Sequence, residues 1–208
     1  HNGLRDNEFE PVSPAPDVAD FLYIGMMRDL KGPDVFIEAL RRAEQLAGRP
    51  LRSVMVGDGD DKPRYQARLD ALGIGGRVTM HAAMPARKAF AMARTVVIPS
   101  RAESMPYIVL EAVAAGKPVI STQVGGIPEI LGPEFAGFVP PGDVEALASA
   151  MSQDILQPDW LSAAMPDMDS FRDHFSARTM AERMSGLYQD CVNRKMRDSS
   201  PRTVSSLS

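Results

Sequence analysis

Glu103 and Glu111 stand eight residues apart in the run Pro99-Ser100-Arg101-Ala102-Glu103-Ser104-Met105-Pro106-Tyr107-Ile108-Val109-Leu110-Glu111-Ala112. They bracket the start of an otherwise apolar helix. Carboxylates at those two places can accept hydrogen bonds from sugar hydroxyls, and the helix start between them offers unpaired backbone N–H groups to an anion. That combination suits a nucleotide sugar. On the helix, Val109, Ala112, Val113 and Gly116 form one packing stripe, with Glu111 nearly opposite beside Tyr107 and Ala114. Leu110 and Ala114 are apolar too, so the helix is covered on most sides, and a carboxylate there reads as functional rather than as a solvated face.

Cations stand in a second loop, Gly25-Met26-Met27-Arg28-Asp29-Leu30-Lys31-Gly32-Pro33. Pro33 suits the first turn of a helix. Arg28 can grip phosphate oxygens as a fork, Lys31 adds a point charge, and the helix dipole reinforces both. A third loop, Gln123-Val124-Gly125-Gly126-Ile127-Pro128-Glu129, has glycines that permit close backbone approach and a short helix begun by proline. Gly57-Asp58-Gly59-Asp60 reads as a tight strand-to-helix turn; its Asp-x-Asp pattern could also hold a divalent cation, which is a minor variant.

Apolar runs rich in β-branched residues place these loops: 21–25, 52–57, 77–81, 95–100, 118–122 and 136–139 read as strands. Segments 34–46, 63–72, 86–93, 106–115 and 144–152 read as the helices between them. Such alternation predicts a doubly wound, Rossmann-like parallel α/β sheet of about six strands flanked by helices, with ligands outside the strands' carboxyl ends. The loops after Gly25, Gly57, His81, Ser100 and Thr122 are therefore the ones that matter. Residues 1–20 read as a linker, 21–175 as the nucleotide-sugar-binding domain, 176–195 as a final amphipathic helix carrying Met180, Met184, Leu187 and Cys191, and 196–208 as a disordered tail.

A formal net charge of -4, with no basic stripe, argues against a nucleic-acid partner. The single cysteine, Cys191, forms no intrachain disulfide. No apolar run reaches the ~20 residues of a membrane span, and no signal peptide is evident. A cytoplasmic place is expected, peripheral at the inner membrane in a longer protein. The start at His1 rather than Met suggests a fragment.

Gly25 with Arg28-x-x-Lys31-Gly32, Val56-Gly57-Asp58-Gly59, Pro99-Ser100, Glu103-x7-Glu111-Ala112, Gly116-Lys117-Pro118-Val119-Ile120 and Gly125-Gly126-Ile127-Pro128-Glu129 occur in this order. Together they resemble the C-terminal, donor-binding domain of family 4 (group 1) retaining glycosyltransferases, one half of the two-domain GT-B architecture. The resemblance covers about residues 21–150, and His1-Asn2-Gly3 resembles the family's linker. It departs from the family at Ala82, where glycine is common, and at Ser104-Met105-Pro106, in place of a glycine-rich turn.

The resemblance implies catalytic roles for Arg28, Lys31 and Glu103: the two cations neutralise the donor diphosphate and Glu103 holds hydroxyls of the donor sugar. Glu111 would accept from the ribose diol, and the base would lie near His81 to Met84. The implied donor site comprises Gly25, Arg28, Lys31, Gly57, Met84, Glu103, Ser104, Met105, Pro106, Tyr107, Ile108 and Glu111. No metal site and no obligatory cofactor are implied; a nucleotide-diphosphate sugar is the donor substrate. Transfer would retain anomeric configuration and require an N-terminal acceptor domain that this chain lacks, so the chain alone is expected to bind donor without transferring sugar. An exposed methionine stripe on the last helix would favour weak self-association. The alternatives are a non-catalytic nucleotide- or sugar-sensing domain and, lower in rank, a dinucleotide-binding module, which would need Gly-x-Gly-x-x-Gly after the first strand.

Overall fold

A computed structural model describes residues 3–182 and 184–186. Its centre is a sheet of six strands: β1 (Ala19–Ile24), β2 (Ser53–Val56), β3 (Val78–His81), β4 (Ala93–Ile98), β5 (Val119–Thr122) and β6 (Phe138–Val139). All neighbours pair parallel, in the order β3-β2-β1-β4-β5-β6. Strands buried on both faces read as continuous apolar runs, which is why their positions were visible in the sequence. Phe21, Leu22, Val96, Val97, Val119 and Ile120 have no exposed surface at all.

From β1 the chain winds outward through α1 (Pro33–Ala47) to β2 and α2 (Lys62–Ala71) to β3. It then returns through α3 (Ala86–Phe90) to β4 and winds the other way through α4 (Tyr107–Ala114) and α5 (Ile127–Leu131). Right-handed crossovers running in opposite directions put the two sets of helices on opposite faces. The order reverses between β1 and β4, so the loops after these two strands open the crevice in which such sheets bind ligands.

On the first face α1 packs chiefly on α6 (Val144–Leu156). Phe36, Ile37 and Leu40 of α1 are fully buried there, each contributing about 2 kcal/mol by leaving water. Opposite them α4 contacts α3, α5 and α8 (Met168–Phe175). The sequence did not foretell α8 or the short α7 (Trp160–Ala164). Helix α3 ends at Phe90 rather than at residue 93, because Ala93 already belongs to β4.

Residues 3–20, read above as a linker, lie against the domain. Leu4 and Phe9 are buried, the Phe9 ring meets Phe171 edge-on at 6.3 Å, and the Val12 amide donates to the Ala115 carbonyl at 2.9 Å. Leu4 also forms a parallel bridge with Ser176. Residues 177–182 and 184–186 are helical, with Met184 exposed. Leu187, Cys191 and the tail 196–208 lie outside the described residues, as do residues 1–2.

Two buried charges tie the amino ends of the strands. Asp154 of α6 accepts from Thr95 Oγ1 at 2.8 Å and from Arg94 at 3.0 Å, and burial pushes its carboxyl upward. Lys117, 4% exposed, donates through Nζ to the Ala93 carbonyl at 2.6 Å. Burial lowers its pKa from 10.5 to about 8. Between those values the unfolded chain holds the Lys117 proton and the folded chain does not, so folding gains stability as pH rises through that window. Compared with Lys117→Met, the native chain should gain about 2 kcal/mol between pH 7 and 9.5, measured by urea denaturation at each pH. Parallel stability curves for the two proteins would refute a lysine neutralised by burial.

Candidate donor-binding site

Lys31 closes a 3-10 turn, Asp29–Lys31, just after β1, and Glu103 follows β4. The topological switch brings these loops together across 72 residues of chain. Lys31 Nζ donates to both Glu103 oxygens, at 2.6 and 2.7 Å. Ser100 Oγ donates to Glu103 Oε1 at 2.7 Å. The Glu103 side chain is only 8% exposed and that of Lys31 21%, so the pair sits in a partly desolvated place where charge–charge contact is strong.

Arg101 clamps the same two loops from the other side. Its guanidinium forks onto Asp34 in the first turn of α1, at 2.6 and 2.9 Å, and also donates to the Asp29 carbonyl. Its own amide donates to the Leu30 carbonyl at 2.9 Å. The Arg101 charge holds the Asp34 carboxyl below the ordinary range, despite burial. Behind Glu103 the Gly126 amide donates to the Ser104 carbonyl at 2.6 Å. Gly125, at φ 55°, lies so close that a Cβ would fall 2.0 Å from the Glu103 carbonyl oxygen, so the third loop can support the second only with glycine there.

Between the loops lies a cavity of about 220 Å³ lined by residues that include Gly25, Lys31, Ser100, Glu103, Pro106, Tyr107 and Ile108. Pro106 caps α4, so the helix's first turn, with its unpaired N–H groups and positive dipole end, opens on this space. A second hollow of about 340 Å³ shares Ile24 and Gly25 with the first and adds Met26, Val56, Gly57, Asp58, Ala83 and Met84. One end of this trough thus offers cation, carboxylate and helix start; the other is largely apolar.

The structure brings Gly25, Lys31, Glu103, Pro106, Tyr107 and Ile108 into one cavity and places Gly57 and Met84 at the adjoining hollow. Arg28 is exposed in the β1–α1 loop, and its side chain makes no bond among the described residues. Ser104 and Met105 belong to the loop braced by Gly126 and do not line either space. Glu111 is half-buried on α4, also outside both linings. Burial pushes its carboxyl upward, and the nearby Glu8 adds to this.

Asp58 has a structural use. Its Oδ2 accepts from the Ala83 amide at 2.8 Å, which joins the loops after β2 and β3 and holds its carboxyl below the usual range. Lys62 Nζ donates to the Gly57 and His81 carbonyls at 3.1 and 2.9 Å, tying the same two strand ends. Ser100 and Arg101 were given no role of their own from sequence, and Asp58 only a place in a tight turn or, as a minor variant, at a cation. Each lies within three residues of a strand's last residue, and weighing every polar residue at a strand's carboxyl end would have raised them.

A family model described as "Glycosyl transferases group 1" matches residues 19–156. The chain belongs to the group 1 glycosyltransferases. Among curated relatives in this family, a D-inositol 3-phosphate glycosyltransferase of Segniliparus rotundus is 32% identical over 136 residues, covering 62% of this chain and 29% of that protein. The chain spans 29%, 42% and 33% of the lengths of the first three curated relatives it matches. A Rickettsia africae glycosyltransferase superposes with a TM-score of 0.76 at 22% identity, over 92% of this chain and 56% of the other. Anabaena Alr3699/HepE, solved in complex with UDP, superposes equally well, TM-score 0.76, at 19% identity over 91% of this chain and 56% of its own. At those identities the solved structures speak to the group 1 glycosyltransferase fold alone: the six-stranded parallel sheet here is the Rossmann-like half of a GT-B protein. None of the helices among the described residues is long and apolar enough to cross a membrane.

Proposed function

We propose that this chain is the donor-binding half of a retaining glycosyltransferase, which holds a nucleotide-diphosphate sugar and needs an acceptor domain outside this sequence for transfer. The Lys31–Glu103 pair at the mouth of α4 carries the reading: cation, hydroxyl acceptor and helix start converge on one cavity at the topological switch. The diphosphate would lie between Lys31 and the first turn of α4, with Arg28 free to swing in from its exposed loop. Glu103 would accept from hydroxyls of the sugar, and the base would occupy the apolar hollow beside Gly57 and Met84. The UDP bound in the Anabaena relative lends support to this class of ligand.

In transfer, negative charge grows on the departing diphosphate, and fixed positive groups around it would stabilise that charge with no obligatory metal. Calorimetric titration of the chain with UDP, GDP and ADP, and with UDP-glucose, GDP-mannose and ADP-glucose, tests the reading. Saturable binding of at least one nucleotide sugar, undiminished by EDTA, is the expected result. Failure of all six to bind would remove the proposal, and binding that collapses with EDTA would replace it with a metal-dependent site.

A further inference from the structure

The two oxygens of the Glu103 carboxylate are not equivalent. Oε1 accepts from Lys31 Nζ at 2.6 Å and from Ser100 Oγ at 2.7 Å, whereas among the described residues Oε2 accepts from Lys31 alone, at 2.7 Å. An ionised carboxylate oxygen has two lone-pair directions, so Oε1 is filled and Oε2 retains one vacancy. Ser100 itself has little freedom. It is 2% exposed, and Thr122 Oγ1 of β5 donates to its carbonyl at 2.6 Å.

The geometry points to Ser100 as a positioning residue that occupies Glu103 Oε1 and aims Oε2 at the ligand, so that the sugar meets a single, fixed acceptor. This rests on the donor reading above. When a diphosphate draws Lys31 toward itself, the Ser100 bond is the contact that still fixes the carboxylate plane. A carboxylate free to rotate would pay ordering entropy on each binding event and could accept hydroxyls through either oxygen. Ser100 would therefore act on the sugar's share of affinity and leave the nucleotide's share alone.

The quantity to measure is the ratio of nucleotide-sugar affinity to nucleotide affinity, taken on the full 208-residue chain. The probes are the six ligands named above. In Ser100→Ala this ratio should fall about fivefold, the factor carried by one hydrogen bond worth ~1 kcal/mol, while the bare nucleotide binds as before. Ser100→Thr should restore the ratio. In a Glu103→Ala background, Ser100→Ala should leave the ratio where Glu103→Ala alone put it, because the group being positioned is gone. Where the alanine variant does not fold, Ser100→Cys, of similar size and a weak donor, should give the same fall. An unmoved ratio, or a parallel loss of both affinities, overturns the assignment while the donor reading stands. No binding by the unsubstituted chain overturns both.

Discussion

Lys31→Met is expected to weaken nucleoside diphosphate binding about thirtyfold and to cost the fold about 2 kcal/mol, by two separable routes. The binding loss follows from removing the charge-assisted donor that faces the cavity, a contact of about 2 kcal/mol. The stability loss has a different origin. Both Glu103 oxygens rest on Lys31 Nζ, and the carboxylate is 8% exposed, so removing the amine leaves a poorly hydrated anion with Ser100 as the one side-chain donor left to it among the described residues. Breaking one partner of a buried pair costs more than the pair is worth, because the other charge stays behind. The double variant Lys31→Met/Glu103→Gln should accordingly recover most of the lost stability in urea titration and none of the lost affinity in calorimetry. Recovery of both, or of neither, would show that Lys31 has a single role.

Those two residues also mark where sequence reasoning reaches its limit. Each was placed correctly at the carboxyl end of a strand, because β-branched runs such as those containing Val96, Val97 and Ile120 announce buried parallel strands, and the alternation with helices fixes the winding. That Lys31 would spend its charge on Glu103 was not legible. It depends on the lateral distance between loops 72 residues apart, which Gly32, Arg101 and Gly125 set through contacts no periodicity records. The half-buried Glu111 illustrates the converse. Its isolation on an apolar helix reads as functional, yet it lies outside both hollows, and the neighbour that accounts for part of its shifted carboxyl, Glu8, comes from a segment whose polar, aperiodic sequence looked like a linker. The packing of that segment rests on Leu4 and Phe9, too few apolar residues to form a pattern. Short α7 and α8 escaped for another reason: α3, α4 and α5 are no longer but stand between strands, whose alternation calls for a helix, whereas α7 and α8 follow the last strand.

Gly32 and Gly48 test how closely the site loops must approach each other. They flank α1 as its caps and share nearly the same left-handed backbone, φ 69° and 67°. A side chain pays for that conformation at either position, about 1 kcal/mol for alanine. Their surroundings differ completely. A Cβ on Gly48 would have none of the described residues within 4 Å, whereas one on Gly32 would fall 2.1 Å from the Pro99 carbonyl oxygen at the end of β4. That oxygen belongs to backbone and has no rotamer to yield, so the β1–α1 loop must retreat by about 1 Å to restore contact distance. Retreat on that scale strains the Arg101–Leu30 and Arg101–Asp34 bonds at 2.9 Å and draws Lys31 from Glu103. Gly48→Ala should therefore lower the unfolding free energy by about 1 kcal/mol and leave nucleotide affinity intact. Gly32→Ala should cost about 3 to 4 kcal/mol and weaken nucleotide binding at least tenfold. Equal losses at the two caps, measured by urea denaturation and calorimetry side by side, would mean that backbone conformation alone demands glycine at Gly32 and that the two loops tolerate a wider separation.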